Sequence, residues 1–357
     1  MFKHKYNVIG VMSGTSLDGV DLAHIKFSKN NNWSFEILET ETIPYSDEWL
    51  LVLKSAVNFL RTELSQIDID YTRLLAQIIN DFITNNNIQN IDAVCSHGHT
   101  ILHKPNLGYT LQIGNLPIIS ELTYQNVVCD FRLQDVELRG QGAPLVPIGD
   151  KLLFSEYDYC LNLGGFSNIS FDVNGERIAF DISPVNTVLN FYANFLGFDY
   201  DDKGKIAKSG NLNVELFQKL NDLEFYSSIY PKSLGIEFVN EVILPLIELF
   251  EIPTNDKIRT FVEHIAFQVS KVITINEASL LITGGGVYNN FLVDRIKLYL
   301  PNNKIVIPDE KTIEFKEALI FAFLGVLKLR GEINVLSSVT GANQNHSSGK
   351  IHHKKGK

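Results

Sequence analysis

Carboxylates, hydroxyls and glycines crowd into one short stretch, Gly10 to Asp21, which reads Gly-Val-Met-Ser-Gly-Thr-Ser-Leu-Asp-Gly-Val-Asp. Gly14 and Gly19 can adopt positive φ, so backbone N–H groups along Gly14, Thr15, Ser16, Leu17, Asp18, Gly19, Val20 and Asp21 can converge on an anion. The Thr15 and Ser16 hydroxyls add donors, and Asp18 and Asp21 can hold a hydrated divalent cation. These groups suit a phosphate chain carrying its metal. Val20 follows Gly19 where a P-loop has Lys and then a hydroxyl residue, which argues against that fold.

Two further glycine turns share this chemistry. Asn162 to Asn168, Asn-Leu-Gly-Gly-Phe-Ser-Asn, offers Gly164, Gly165 and Asn168, and Thr283 to Asn290 offers Gly284, Gly285, Gly286 and Asn289. Glycine turns at matching places in two domains can clamp a triphosphate with backbone donors, as phosphoryl transfer requires. The competing reading of the third turn is a purely structural link between strand and helix.

Side chains able to move protons cluster elsewhere. Ser96-His97-Gly98-His99-Thr100, with His103 close behind, is open to either metal binding or polar ligand contacts. Asp130-Phe131-Arg132-Leu133-Gln134-Asp135 follows a strand, where either carboxylate can serve as a general base and Arg132 can hold an anion. An ordinary surface ion pair is the plainer alternative there. Asp181, which opens Asp-Ile-Ser-Pro-Val-Asn, either faces Asp18 across a cleft or caps the helix that follows.

The elements around these residues read as mixed α/β. Val8–Met12 and Leu22–Phe27 flank the first turn as a hairpin, and alternation from Trp33 to Leu38 adds a third strand. Apolar positions from Tyr71 to Ile83 recur at helical spacing. Ile91–Ser96 reads as a buried strand followed by a loop, Val127–Cys129 as another strand, and Gly140–Pro147 as a connection. The second half repeats the opening: Tyr159–Leu163, the Gly164-Gly165 turn, Ile169–Val173, an Asn174-Gly175 hairpin and Ile178–Ile182. That repetition argues for two duplicated domains facing each other. Later segments are a helix from Ile258 to Val272, a strand at Leu280–Thr283 and an amphipathic helix from Phe315 to Val326. Pro245 is expected to start a new helix. The expected divisions are 1–150, 151–312, a C-terminal helical part 313–343 returning toward the interdomain region, and a polar tail 344–357 expected to be disordered.

Composition excludes several roles. The 357 residues are 45% hydrophobic, enough for two cores, and the formal net charge is −10. An acidic chain lacks the basic face needed to grip nucleic acid or an anionic membrane nonspecifically. The basic start at Lys3–Lys5 leads into an apolar run too short for a signal peptide, and no run approaches the ~20 apolar residues of a membrane span. Cys95, Cys129 and Cys160 lie far apart in or beside apolar runs, consistent with buried thiols in a reducing, cytoplasmic setting.

Taken in order, Gly10–Asp21, Gln141-Gly142-Ala143-Pro144-Leu145-Val146-Pro147, Asn162–Asn168, Lys208-Ser209-Gly210, Pro231-Lys232-Ser233, Gly284–Asn289, Glu317-Ala318 and Thr340-Gly341-Ala342 resemble the motifs of the bacterial 1,6-anhydro-N-acetylmuramic acid kinases. These belong to the actin, sugar-kinase and Hsp70-like ATPase superfamily. The resemblance implies two actin-like (ribonuclease H-like) α/β domains with a cleft between them, ATP and Mg²⁺ as cofactors, an anhydro amino sugar as substrate and a homodimer. It also implies ring opening and phosphorylation at O6 to give N-acetylmuramic acid 6-phosphate. On this resemblance Asp135 is the expected base with Asp130 in reserve, His97, Gly98 and Arg132 lie at the sugar, and Asp18 or Asp21 holds Mg²⁺. Alternatives are a kinase of the same fold for another sugar and a non-catalytic ATP-binding sensor. The sequence departs from the family pattern at Ile182, Ser183 and Val185, where Thr, Gly and Gly are usual, at Asn190, where Asp is expected, and at His99, where Gln is usual.

Overall fold

The computed structural model describes residues 2–14 and 17–355, so Thr15 and Ser16 lie outside the described residues. The chain divides into two compact units, Met1–Leu153 with Phe315–Lys357, and Phe154–Glu314. Strands are numbered in chain order.

In the first unit β1 (Lys5–Ser13), β2 (Val20–Lys29) and β3 (Trp33–Ile43) form an antiparallel meander. β4 (Ala93–Lys104) runs parallel to β1, and β6 (Val127–Cys129) parallel to β4, while β5 (Tyr109–Ile113) turns back along β4. The second unit contains β7 (Tyr159–Leu163), β8 (Phe166–Val173), β9 (Glu176–Pro184), β10 (Ser279–Thr283) and β11 (Lys304–Val306). Its order, β9-β8-β7-β10-β11, repeats the β3-β2-β1-β4-β6 order of the first unit strand for strand and direction for direction. The duplication suggested by the turns is thus a duplication of topology, as two ribonuclease H-like α/β units require. Asn174 and Gly175 both take positive φ, 52° and 86°, the backbone that a two-residue hairpin turn with the strand twist demands.

The first sheet is covered on both faces. Ile9 and Val11 of β1 share a core with Tyr71, Leu75, Ile79 and Phe82 of the Arg61–Asn85 helix. Alternation turns Gly10 to the other face, against the Glu310–Leu329 helix, where a Cβ on Gly10 would lie 2.1 Å from the Ala318 carbonyl oxygen. A Cβ on Gly325 would likewise lie 2.2 Å from Cys95 Sγ. The helix is apolar on every side from Ala318 to Phe323, because it is buried on every side.

Three expectations are corrected. β4 continues through the predicted His-containing loop to Lys104, accommodating Gly98 at φ 72°. The backbone stays helical from Ile236 to Glu248 across Pro245, with a widened turn at Val239–Ile243 just before the residue that lacks an N–H. The tail expected to be disordered is ordered up to Lys355. Lys350–His352 forms β12, antiparallel to β6, and buried Ser348 donates to the Phe131 carbonyl at 2.6 Å. Its polar residues hydrogen-bond to the protein in place of water.

Replacing Gly10 by Ala forces the central helix off β1. The expected loss is about 2 kcal/mol or more, read as a lower denaturant midpoint, and an unchanged midpoint would contradict the close approach.

Candidate active site

The first glycine turn joins β1 to β2, with Ser13 paired to Val20. Leu17 takes φ 64° and packs against the core, and Val20 is fully buried, so their side chains serve packing and only their backbones can serve a ligand. Gly19 is required by β3, since a Cβ there would lie 2.5 Å from the Ile43 carbonyl oxygen. Asp18 is exposed at the turn, and Asp21 accepts from the Thr42 hydroxyl at 2.6 Å. Ser13, which leads into the turn, is fixed by Tyr45 Oη at 2.5 Å, His99 Nδ1 at 2.7 Å and Tyr71 Oη at 3.0 Å. Burial lowers the His99 pKa to about 4, so the ring in this network is neutral at physiological pH.

Between His97 within β4 and Arg132 beyond β6 a second polar group assembles. Arg132 Nε donates to His97 Nε2 at 2.8 Å, and His97 Nδ1 lies 2.9 Å from the Gly98 carbonyl. His97 therefore carries its proton on Nδ1, and burial together with the Arg132 charge holds its pKa well below the ordinary value. Its ring is buried on Phe321, with centroids 4.5 Å apart. Both ring nitrogens of His97, an expected sugar contact, are engaged within the protein, and the ring fixes Arg132. Gly98 is likewise constrained by packing, because a Cβ there would meet the Ile113 carbonyl oxygen at 2.5 Å. Arg132 Nη1 donates to the Gly142 carbonyl at 2.7 Å, and no acceptor for Nη2 is found among the described residues. Burial pushes the guanidinium down to about 10, opposed by Glu317 and Asp135, so it stays charged at neutral pH.

Glu317 belongs to this group, although sequence reasoning named it only as a motif residue. It reaches solvent, yet the surrounding protein strips much of its hydration, and desolvation raises its pKa against the attraction of Arg132 and with the repulsion of Asp21. His103 pairs with Thr110 at 3.1 Å. Among the described residues no three His, Cys, Asp or Glu side chains gather to hold a metal ion.

The two carboxylates expected as bases both have partners within the first unit. Asp135 is fully buried, with Oδ2 accepting the Gly142 N–H and Oδ1 the Thr340 hydroxyl, each at 2.7 Å. Each oxygen is thus engaged inside the protein, and the group is sealed from solvent. Asp130 is engaged by Lys350 Nζ at 2.7 Å.

In the second unit the Gly164-Gly165 turn reaches the start of the Asn186–Phe195 helix. The Gly165 carbonyl accepts from the Val185 and Thr187 amides, and the Gly164 carbonyl from Asn186. The Gly165 N–H makes no hydrogen bond among the described residues and is free for an anion. The triple glycine turn divides its work. Gly284 and Gly286 press on Leu163, where Cβ atoms would come within 2.8 and 2.7 Å, whereas nothing but Asn186 Nδ2, at 4.0 Å, comes near Gly285. Gly285 lines a cavity of about 490 Å³ with Asn186, Asn190, Tyr200, Tyr288 and Asn289, a volume suited to a nucleoside. Asn289 also caps the Asn290–Tyr299 helix through the Leu292 N–H at 3.0 Å.

Asn168 stands exposed on β8, paired across the sheet with Asn162 on one side and Asp181 on the other. Asp181 Oδ2 accepts the Leu234 N–H at 2.8 Å, and no described residue donates to Oδ1. Burial raises the Asp181 pKa above the ordinary carboxylate range, partly offset by that hydrogen bond. Such a carboxylate has a free oxygen and enough basicity to accept a proton.

Residues 6–354 match the sequence profile of the family described as anhydro-N-acetylmuramic acid kinase. The chain belongs to this family. The anhydro-N-acetylmuramic acid kinase of Pseudomonas savastanoi pv. phaseolicola is 34% identical, with 96% of this chain and 98% of that protein aligned. The corresponding kinase of a Sulfurovum species is 32% identical over 99% and 100%. The departures from the anhydro-N-acetylmuramic acid kinase pattern find structural places. Ile182 and Val185 lie in the core of the second unit, and buried Ser183 exchanges hydrogen bonds with Ser167. Val185 takes φ −130°, which needs no glycine. Asn190 lines the cavity, and His99 holds Ser13.

Folding excludes a proton from His99, so between pH 6.5 and about 4 the unfolded chain binds protons that the folded ring refuses. Stability contributed by this site is present above pH 6.5 and lost as pH falls. Melting temperature measured across that window should fall less steeply for His99→Gln than for the parent, and identical slopes would refute the assignment.

Proposed function

We propose that the chain uses ATP to convert 1,6-anhydro-N-acetylmuramic acid to N-acetylmuramic acid 6-phosphate and ADP, with hydrolytic opening of the anhydro ring. Asp181 carries this reading: a desolvated carboxylate to one oxygen of which no described residue donates, paired across the sheet with Asn168, in a chain whose family is described by an anhydro-sugar kinase activity.

The substrate's O6 is an ether oxygen and cannot accept a phosphoryl group until its bond to C1 breaks. Water attacks C1 and gives its proton to Asp181, the C1–O6 bond breaks through an oxocarbenium-like state, and O6 takes the γ-phosphoryl group as the bond to ADP breaks. One base suffices. Asp181 takes the role first expected of Asp135. Arg132 Nη2 suits the carboxylate of the muramic acid side chain, and Glu317 suits a sugar hydroxyl. The Gly165 amide and the backbone from Gly14 to Gly19 receive phosphate oxygens, and the cavity beside Gly285 receives the nucleoside. Asp18 and Asp21 present only oxygen donors, as Mg²⁺ prefers, and too few to hold it without phosphates. Bound Mg²⁺ would neutralise phosphate charge as the leaving oxygen develops its own. A cytoplasmic location, where ATP is the donor, and a homodimer complete the proposal.

Asp181→Asn should leave ATP binding intact and lower turnover with the anhydro sugar by at least about 100-fold. In the parent enzyme the acid limb of kcat should lie above the ordinary carboxylate range, because Asp181 must be ionised to act and its pKa is raised. Parent-like turnover in the variant would remove Asp181 from the mechanism. Light scattering should return twice the mass of the chain, and a monomer at working concentration would exclude the dimer.

A further inference from the structure

We propose that Asp135 is a positioning residue through which the C-terminal segment 340–346 sets the direction of the Arg132 guanidinium. Gly142 is the point of transmission. Its N–H is held by Asp135 Oδ2 and its carbonyl by Arg132 Nη1, each at 2.7 Å, so any shift of Asp135 moves the peptide that aims the guanidinium. Gly142 sits at φ 68° with Val136 Cγ2 3.0 Å from where a Cβ would be, so the loop has little freedom to compensate.

Asp135 is held in turn by residues some two hundred positions away in the chain. The Thr340 hydroxyl donates to Oδ1 at 2.7 Å, and His346 Nε2, buried and without a hydrogen-bond partner, lies 3.6 Å from the same oxygen. Two backbone bonds run alongside: the Gln141 N–H donates to the Thr340 carbonyl at 2.8 Å, and the Asn343 N–H to the Leu138 carbonyl at 3.0 Å. Gly140 permits the arrangement, since a Cβ there would lie 2.1 Å from Asp135 Oδ2. A fully buried carboxylate tolerates few positions, because each lost donor leaves charge without compensation. The segment that supplies these donors therefore controls where Arg132 points, and with it how the sugar is gripped.

The inference rests on Arg132 contacting the anionic sugar, and a kinetic double-mutant cycle separates the two ideas. Thr340→Val, which removes the donor at nearly constant volume, should raise KM for the anhydro sugar about tenfold while leaving KM for ATP unchanged, in keeping with the cost of a small misplacement. Thr340→Ser, which keeps the hydroxyl, should restore the parent value. In an Arg132→Lys background, Thr340→Val should add almost nothing, because the group it acts through is gone. Should Thr340→Val fail to fold, His346→Gln enters the same cycle. Effects that multiply across the cycle, or a lowered melting temperature with an unchanged sugar KM, overturn the coupling. Arg132→Lys alone with an unchanged sugar KM overturns the underlying reading of Arg132, and the inference with it.

Discussion

The close contact between the Glu310–Leu329 helix and β1 is the constraint on which the first unit depends. Backbone meets backbone at Gly10 and Ala318, a separation that no side chain on Gly10 allows. This contact, at Ala318, seats the helix one residue from Glu317 and three from Phe321. Glu317 then lies within electrostatic reach of Asp21 on β2 and of Arg132 beyond β6, while Phe321 forms the wall on which His97 and Arg132 rest. Three strands and one helix thus meet at a common group of charges. A sheet buried on both faces is what makes such a contact stable, because each apolar residue on the helix finds a surface to cover.

Desolvation governs the chemistry at this end of the fold. Arg132 is half-buried and would be costly if left without acceptors, and the structure meets that need with a neutral imidazole and a backbone carbonyl, not with a bonded carboxylate. Those neutral partners leave most of the positive charge available for a ligand. Asp135 is the opposite case. It is the more deeply buried ion, and its donors are a backbone N–H and a hydroxyl, so its charge is used up inside the protein. Asp181 lies between the two, desolvated enough to be basic and bonded at one oxygen alone. The number and kind of their partners thus set Arg132, Asp135 and Asp181 in three different electrostatic states, which the proposed roles of ligand grip, brace and base would use.

The glycines show a similar division. In the triple glycine turn, Gly284 and Gly286 are demanded by the approach of β7, and Gly285 alone faces open space. In the first turn Gly19 is demanded by β3. Glycine richness in a phosphate turn is therefore in large part a packing requirement of the strands that bring the turn to its place. In the proposed reading a phosphate would use the amides that this packing leaves free.

Periodicity, turn residues and the order of motifs already contained the α/β class, the repeated meander, the Asn174-Gly175 hairpin and the family. Each of these follows from local geometry or from short stretches of neighbouring residues, which a one-dimensional string preserves. What it did not contain was partnership across long separations. Asp135 stood after a strand, as a base would, and nothing nearby announced that Thr340 and Gly142 occupy both its oxygens. The tail from Gln344 onward looked too polar to order, because hydrogen bonds from Ser348 to Phe131, and the β12 edge on β6, form only once the sheet exists. Asp181 was visible only as a residue that could face Asp18 across a cleft or cap a helix. Its proposed role as base rests on burial and on an unsatisfied oxygen, and these are properties of a packed interior, where the dielectric and the partners are supplied by residues far apart in the chain.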